Sequence, residues 1–164
     1  MHTHQVATNA WRWRHQKAPV EGLLKRVATE NLVLLSSGGS DWLQGSGTAT
    51  RVEGGFRING RKIFASGAPA GDLLMTSAVY DDPEAGPSVL HFAVPMKAQG
   101  IKLLDTWKVL GMRGTGSRDV ELTDVFIADA AIGGKRPAGK WHPLFHIISM
   151  IAFPLVYSAY LGVA

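Results

Sequence analysis

The polar/apolar pattern changes period along the chain and marks out three stretches. Residues 4–30 carry helical spacing: Val6, Ala10, Trp13 and Lys17 fall on one face, and Pro19 then interrupts at a place suited to opening a second helix. Val20, Leu23, Leu24 and Val27 recur at i, i+3, i+4 and i+7, with Glu21 in the first turn. From residue 31 the pattern becomes strand-like. Residues 31–35 form an apolar run, and 48–52 and 56–58 read as strands. Asn59-Gly60 predicts a two-residue hairpin turn, because both residue types accept positive φ, with 61–66 as the return strand. Further strands are expected at 72–80, 88–95, 100–104 and 118–127, with turns at Asp82-Pro83 and 84–87. Short strands at this spacing, in a chain with 19 glycines, predict an antiparallel β-sandwich or barrel between helices, hence an α+β fold. Residues 133–139 read as a linker, and an uncharged, apolar helix follows.

Composition narrows the function classes. A chain of 164 residues with 46% hydrophobic and 18% charged residues can bury a core. The net charge of +4 comes from dispersed basic residues, and the clusters Arg12/Arg14/Lys17 and Lys135/Arg136/Lys140 read as solvated surface. With no basic stripe interleaved with aromatics, no nucleic-acid partner is expected. The absence of cysteine excludes disulfides, thiolate metal sites and cysteine nucleophiles. No metal site is expected either, since His142 and His146 are separated by Pro143 and have no evident third ligand. Met1-His-Thr-His-Gln has no apolar signal region, and a cytoplasmic location is expected. Residues 141–164 lack Asp, Glu, Lys and Arg. Their prolines, histidines and small residues favour a buried core helix over a membrane span.

Three polar, glycine-containing segments are the chemical candidates. In Ser36-Ser37-Gly38-Gly39-Ser40-Asp41, clustered glycines allow close backbone approach to a ligand, and hydroxyls add rotatable donors. Lys62-Ile-Phe-Ala-Ser66-Gly67 offers, on a regular strand, Phe64 and Ser66 on one face: an aromatic wall and a hydroxyl. The third runs from Trp107 through Gly111-Met-Arg-Gly-Thr-Gly-Ser117 into the strand ending at Ile127. Each alone is an ordinary loop or strand.

Together and in this order they resemble the acyl-CoA dehydrogenase family over about residues 31–132. The first segment is similar to its Thr-Glu-Pro-Gly-Ala-Gly-Ser-Asp, the second to its Lys-x-Trp-Ile-Thr-Asn-Gly, the third to its Gly-x-Arg-x-Ser-x-Thr loop and following strand. The resemblance implies a middle β-domain (31–132) between the incomplete end of a helical domain (1–30) and a linker with the start of another (133–164). It implies a flavin, FAD or alternatively FMN, with the backbone of Val33 and Leu34, the Gly39-Ser40 side, Phe64 and Ser66 lining it, and Ser40 also reaching the substrate. The implied reaction is α,β-dehydrogenation of an acyl-CoA thioester with hydride transfer to flavin, in a homo-oligomeric parent. Its base is expected in the C-terminal helical domain, so none is assigned here. Asp105-Thr106-Trp107 leading to Gly114-Thr-Gly-Ser117 also resembles a sister branch, the flavin-dependent monooxygenases of two-component systems, which use reduced flavin and oxygen on aromatic or heterocyclic substrates. A non-catalytic β-module that binds a protein partner is the remaining alternative.

Overall fold

The computed structural model describes residues 2–164, except for the side chain of Ser40. Two N-terminal helices, α1 (His2–Gln16) and α2 (Glu21–Glu30), precede the sheet, and α3 (Leu144–Leu161) follows it. Pro19 separates the first two as the pattern predicts, and Asn31 closes α2 in a left-handed conformation (φ 54°). The inward face of α1 differs from the expected one. Thr8 and Asn9 are buried, Trp13 is 46% exposed, and the helix packs against both β1 and α3.

The sheet has eight strands: β1 (Leu34–Ser36), β2 (Thr48–Val52), β3 (Gly55–Ala65), β4 (Leu73–Asp82), β5 (Gly86–Pro95), β6 (Ile101–Leu103), β7 (Arg118–Ala128) and β8 (Ile132–Pro137). Their order is β6-β7-β3-β2-β4-β5-β8, open at both ends. Most pairs are antiparallel, as expected, but β1 and β2 both run parallel to β4, so the sheet is mixed and does not close into a barrel. The two share one edge of β4: β1 pairs with Leu73–Met75 and β2 with Val79 and Tyr80. The chain between them must therefore leave the sheet alongside Thr76–Ala78. The core joins inward residues of β3, β4, β5 and β7, including Phe56, Ile58, Leu74, Leu90, Phe92, Val120, Leu122 and Val125.

Two local expectations are corrected. Asn59-Gly60 is not a turn. The β2–β3 hairpin turns at Glu53-Gly54, where Val52 faces Gly55 and Gly54 takes a left-handed conformation at φ 72°. Asn59 and Gly60 lie inside β3 at a bulge opposite β7, where Asn59 Oδ1 accepts the Asp124 amide at 2.9 Å. Gly60 is needed for close approach, since a Cβ there would sit 2.6 Å from the Gly47 Cα. The expected linker at 133–139 is largely strand β8, paired with β5.

Helix α3 is not buried as expected. Phe145 and Ala152 are its only buried residues, while Met150, Phe153, Tyr157 and Leu161 are at least half exposed. It is long and apolar enough to cross a membrane by length and composition, with 11% of that stretch buried.

Candidate functional site

The excursion from β1 to β2, residues 37–47, carries the first glycine-containing segment (36–41) beyond Ser36, and two buried cations hold it. Lys62, on an inward position of β3, donates from Nζ to Asp41 Oδ2 (3.0 Å), Ser46 O (2.6 Å) and Ser46 Oγ (2.9 Å). Both ends of the pair are buried: the Lys62 side chain is fully enclosed and Asp41 nearly so. Burial pushes the Lys62 ammonium below its usual range, and Asp41 opposes the shift. Ser37 Oγ donates to Asp41 Oδ2 (2.8 Å), which leaves Thr76, buried on the stretch of the β4 edge between its pairings with β1 and β2, to donate to Ser37 (3.1 Å). From the other side Arg136 donates to Asp41 O (2.9 Å), Leu43 O (3.0 Å) and His91 Nε2 (3.1 Å), and its guanidinium lies over the Phe145 ring. Arg136 is 3% exposed, which corrects its reading as solvated surface.

The second and third segments meet at the far end of β3. A bulge between Lys62 and Ala65 breaks the alternation that would put Phe64 and Ser66 on one face. Phe64 takes a left-handed conformation (φ 56°), which costs a bulky side chain about 1–2 kcal/mol. Its ring is 53% exposed, standing edge-on to Trp107 at 6.1 Å. The bulge is pinned by buried Asp119, which accepts from the Phe64 amide (3.4 Å) and from Arg61 Nε (2.8 Å). Ser66 lies just beyond β3, with its Oγ 2.8 Å from Ser117 Oγ, which is in turn 2.8 Å from Thr115 Oγ1. The Gly67 amide donates to Thr115 O at 2.7 Å. The first segment reaches the same place, because the Gly38 amide donates to Ile63 O (3.2 Å) and a Cβ on Gly38 would meet Phe64 Cβ at 3.5 Å.

The candidate residues are therefore partly brought together. Phe64 and Ser66 share one edge with Gly38, Thr115 and Ser117, and Gly39 lies one residue along the loop. The Ser40 side chain lies outside the described residues. The amides expected to face a cofactor at Val33 and Leu34 are already committed: Val33 donates to Asp72 Oδ2 (2.8 Å) and its carbonyl accepts from Asp72 and Leu73, while Leu34 donates to His2 Nδ1 (3.0 Å) and is fully buried. Lys62 and Arg136 organise the loop in a way the sequence pattern does not announce, whereas Thr115 and Ser117 belong to the third candidate segment. A lysine at an inward strand position was a readable signal for the first. The linker-like, glycine-rich context of Arg136 conceals the second.

Behind the loop lies a half-open cavity of about 700 Å³, lined by residues of α1, α2, α3, the loop, β4, β5 and β8. Its polar lining includes Thr8, Arg12, His91, Arg136 and His142. Burial first, and then the neighbouring cations led by Arg136, lower the His91 pKa to about 4. Its folded value lies below the unfolded 6.5, so the stabilisation is present above 6.5 and is lost as pH falls through 4. Lowering the pH from 7 to 5 is expected to cost on the order of 2 kcal/mol through this residue. Denaturant unfolding at both pH values checks it. His91→Gln, which keeps an acceptor for Arg136, should flatten the pH response, and an unchanged response would rule His91 out. Among the described residues no three His, Asp or Glu side chains converge as a metal site.

Residues 36–125 match the family model described as acyl-CoA dehydrogenase, middle domain. A dibenzothiophene monooxygenase of Mycolicibacterium goodii is 33% identical over 158 residues, covering 88% of this chain and 37% of the relative. TdsC from Paenibacillus sp. A11-2, solved with FMN and indole, superposes with a TM-score of 0.64 at 25% identity, over 79% of this chain and 33% of that one. A nitrososynthase from Micromonospora carbonacea var. africana shares the fold with a TM-score of 0.68 at 22% identity, over 79% of this chain and 34% of that one. This chain thus spans about a third of the length of each. The matched segment takes in all three glycine-containing motifs that the fold draws to one edge, and with it the chain belongs to the acyl-CoA dehydrogenase family.

Proposed function

We propose that this chain carries the flavin-facing wall of a flavin-dependent monooxygenase of the acyl-CoA dehydrogenase fold, one that uses reduced FMN or FAD and oxygen on a small aromatic or heterocyclic substrate. The observation that carries the reading is the exposed Phe64, held in a costly left-handed conformation beside the Ser66–Ser117–Thr115 hydroxyl chain and against Gly38. Backbone strain kept at an exposed aromatic is a mark of a functional position.

The residues present fit a flavin. Phe64 and Trp107 offer aromatic surface, and Gly38 keeps the adjoining backbone free of a side chain. Proton accounting along the hydroxyls gives a polarity. Thr115 Oγ1 donates to Met112 O (2.9 Å), so Ser117 donates to Thr115 and Ser66 donates to Ser117. Ser66 Oγ is left as an acceptor, which suits a ligand N–H of the kind a reduced flavin carries at N5. When bound, the flavin supplies the redox chemistry, and these residues supply position and hydrogen bonding.

The dehydrogenation of an acyl-CoA thioester, also expected from the sequence, has family membership behind it. The oxygenase reading has in addition the monooxygenase relative over 88% of the chain and the FMN and indole held by TdsC. On the same reading α1 and α2 belong to a helical domain ending near residue 30 and α3 to one that starts beyond β8, in a cytoplasmic homo-oligomer, with Ser40 toward the substrate.

Anaerobic titration of the chain with oxidised and reduced FMN, followed by protein fluorescence, tests the proposal. One hydrogen bond gained by the reduced form should give it about fivefold tighter binding. Equal affinities, or no binding of either form, would overturn the assignment of the flavin wall. Stoichiometric dye reduction with acyl-CoA substrates by the complete protein would return the reaction to dehydrogenation.

A further inference from the structure

The two rings of the proposed flavin wall stand on separate segments, and one residue holds both segments. Residues 63 and 64 of β3 lie opposite the single residue Asp119 of β7, since Lys62 pairs with Val120 and Ala65 with Arg118. Asp119 is 6% exposed. Arg61 occupies its Oδ2 through Nε (2.8 Å) and Nη2 (2.5 Å), which leaves Oδ1 to accept the Phe64 amide at 3.4 Å. A phenylalanine at φ 56° relaxes to extended backbone unless its surroundings fix it, and this hydrogen bond is such a fixture. The main chain of the same residue holds the segment that carries Trp107. Its carbonyl accepts from the Leu104 amide (2.9 Å), and its amide donates to Thr106 Oγ1 (3.0 Å). Trp107 follows directly. Its Nε1 donates to Met112 O (3.2 Å), the carbonyl on which the hydroxyl chain from Ser66 also ends. The contacts therefore close on themselves: from Phe64 through Asp119 to Trp107, and from the Met112 carbonyl through the hydroxyls back to Ser66, two residues beyond Phe64.

We propose that Asp119 is the positioning residue of the flavin wall: its carboxylate sets Phe64 and its main chain sets Trp107, so that the two rings keep one edge-on geometry. The rings stand 6.1 Å apart at 83°. Packing contributes little to that arrangement, because the Phe64 ring is 53% exposed and Thr106 is exposed as well. Asp119 itself acts through Phe64 and Trp107, the residues that present the aromatic surface. The inference deepens the proposed function and rests on it for what the rings face. The geometry between the rings exists without a flavin and is measured without one.

The test uses the full chain labelled with 5-fluorotryptophan. Its 5 tryptophans give one fluorine resonance each, and Trp107→Phe identifies that of residue 107. Phe64→Ala defines the shift that loss of the neighbouring ring produces. Asp119→Leu should move the 107 resonance in the same direction and leave the other tryptophans in place, because the acceptor that holds Phe64 is gone. Asp119→Asn, which keeps an Oδ1 acceptor for the Phe64 amide, should stay at the parent position. Thr106→Val should move the resonance through the other arm. A merely structural role would instead disturb all the tryptophans together. In anaerobic titrations with reduced FMN, Asp119→Leu should weaken binding about fivefold or more in the parent, and by no more than about twofold once Phe64→Ala is present. A 107 resonance that stays in place in either Asp119→Leu or Thr106→Val overturns the proposal, as does an equal loss of FMN affinity in the parent and Phe64→Ala backgrounds. If Asp119→Leu does not fold, the Thr106→Val shift decides. A parent that binds no FMN counts against the flavin wall alone, and the fluorine shifts then decide whether Asp119 positions the rings.

Discussion

Asp41→Ala is expected to lower stability by about 3–5 kcal/mol, because it leaves a buried lysine without its counter-charge. For a chain of this size that is roughly a 6–20 °C fall in Tm. Lys62 would keep only the Ser46 carbonyl and hydroxyl, and Ser37 would lose its acceptor, so the loop over residues 37–47 would loosen together with the ammonium. Lys62→Met should cost less, since it removes the buried charge and keeps most of the volume. The double variant Asp41→Leu/Lys62→Met should recover much of the loss, because an apolar pair of similar size avoids both desolvation penalties. Denaturant midpoints for the three variants decide the matter. If Asp41→Ala proved as stable as the parent to within 1 kcal/mol, the pair would not be what holds the loop. The consequence reaches the site, because the same loop carries the Gly38 amide to the Ile63 carbonyl and thereby sets the space beside Phe64.

Phe64→Ala is expected to weaken flavin binding by about 1–3 kcal/mol, roughly 5- to 150-fold in Kd, through loss of aromatic contact and the gap left beside the ring. Folding should be little affected, because the Phe64 ring is half exposed and packs edge-on against Trp107. Phe64→Gly separates the two effects. It should bind flavin as poorly as the alanine variant, yet raise stability by up to about 1 kcal/mol, since glycine adopts φ 56° without strain. Ser66→Ala should cost about 0.5–1.5 kcal/mol and fall more heavily on reduced than on oxidised flavin, given the acceptor role left to its Oγ. A surface control for these variants should not be Arg57. It lies on the same strand as Phe64, donates to the Asp124 carbonyl (2.9 Å) and packs over the Phe126 ring. Lys97, exposed beyond β5, serves better. Flavin Kd values for the alanine and glycine variants equal to the parent's would remove Phe64 from the site.

Helix breaks at Pro19, the strands near 48–52, 73–82, 86–95 and 118–128, and the three glycine-containing segments were legible in the sequence, because each depends on local periodicity or on residue types with restricted backbone preferences. Family membership was legible for the same reason, as three short patterns in a fixed order. Asn59-Gly60 shows where local chemistry stops deciding: the pair suits a turn, but pairing of β3 with β7 along its length, and the passage of Gly47 across Gly60, outweigh that preference and keep the strand running. The 133–139 segment was misread likewise, since glycines that look like linker become a strand once β5 offers an edge. The split edge of β4, the burial of Lys62 and Arg136, the bulge that turns Phe64 outward and the place of Asp119 between the Phe64 and Trp107 segments were decided only by tertiary structure. Each depends on which residues from distant parts of the chain meet, and on how much water is excluded where they do; neither quantity is encoded in local sequence.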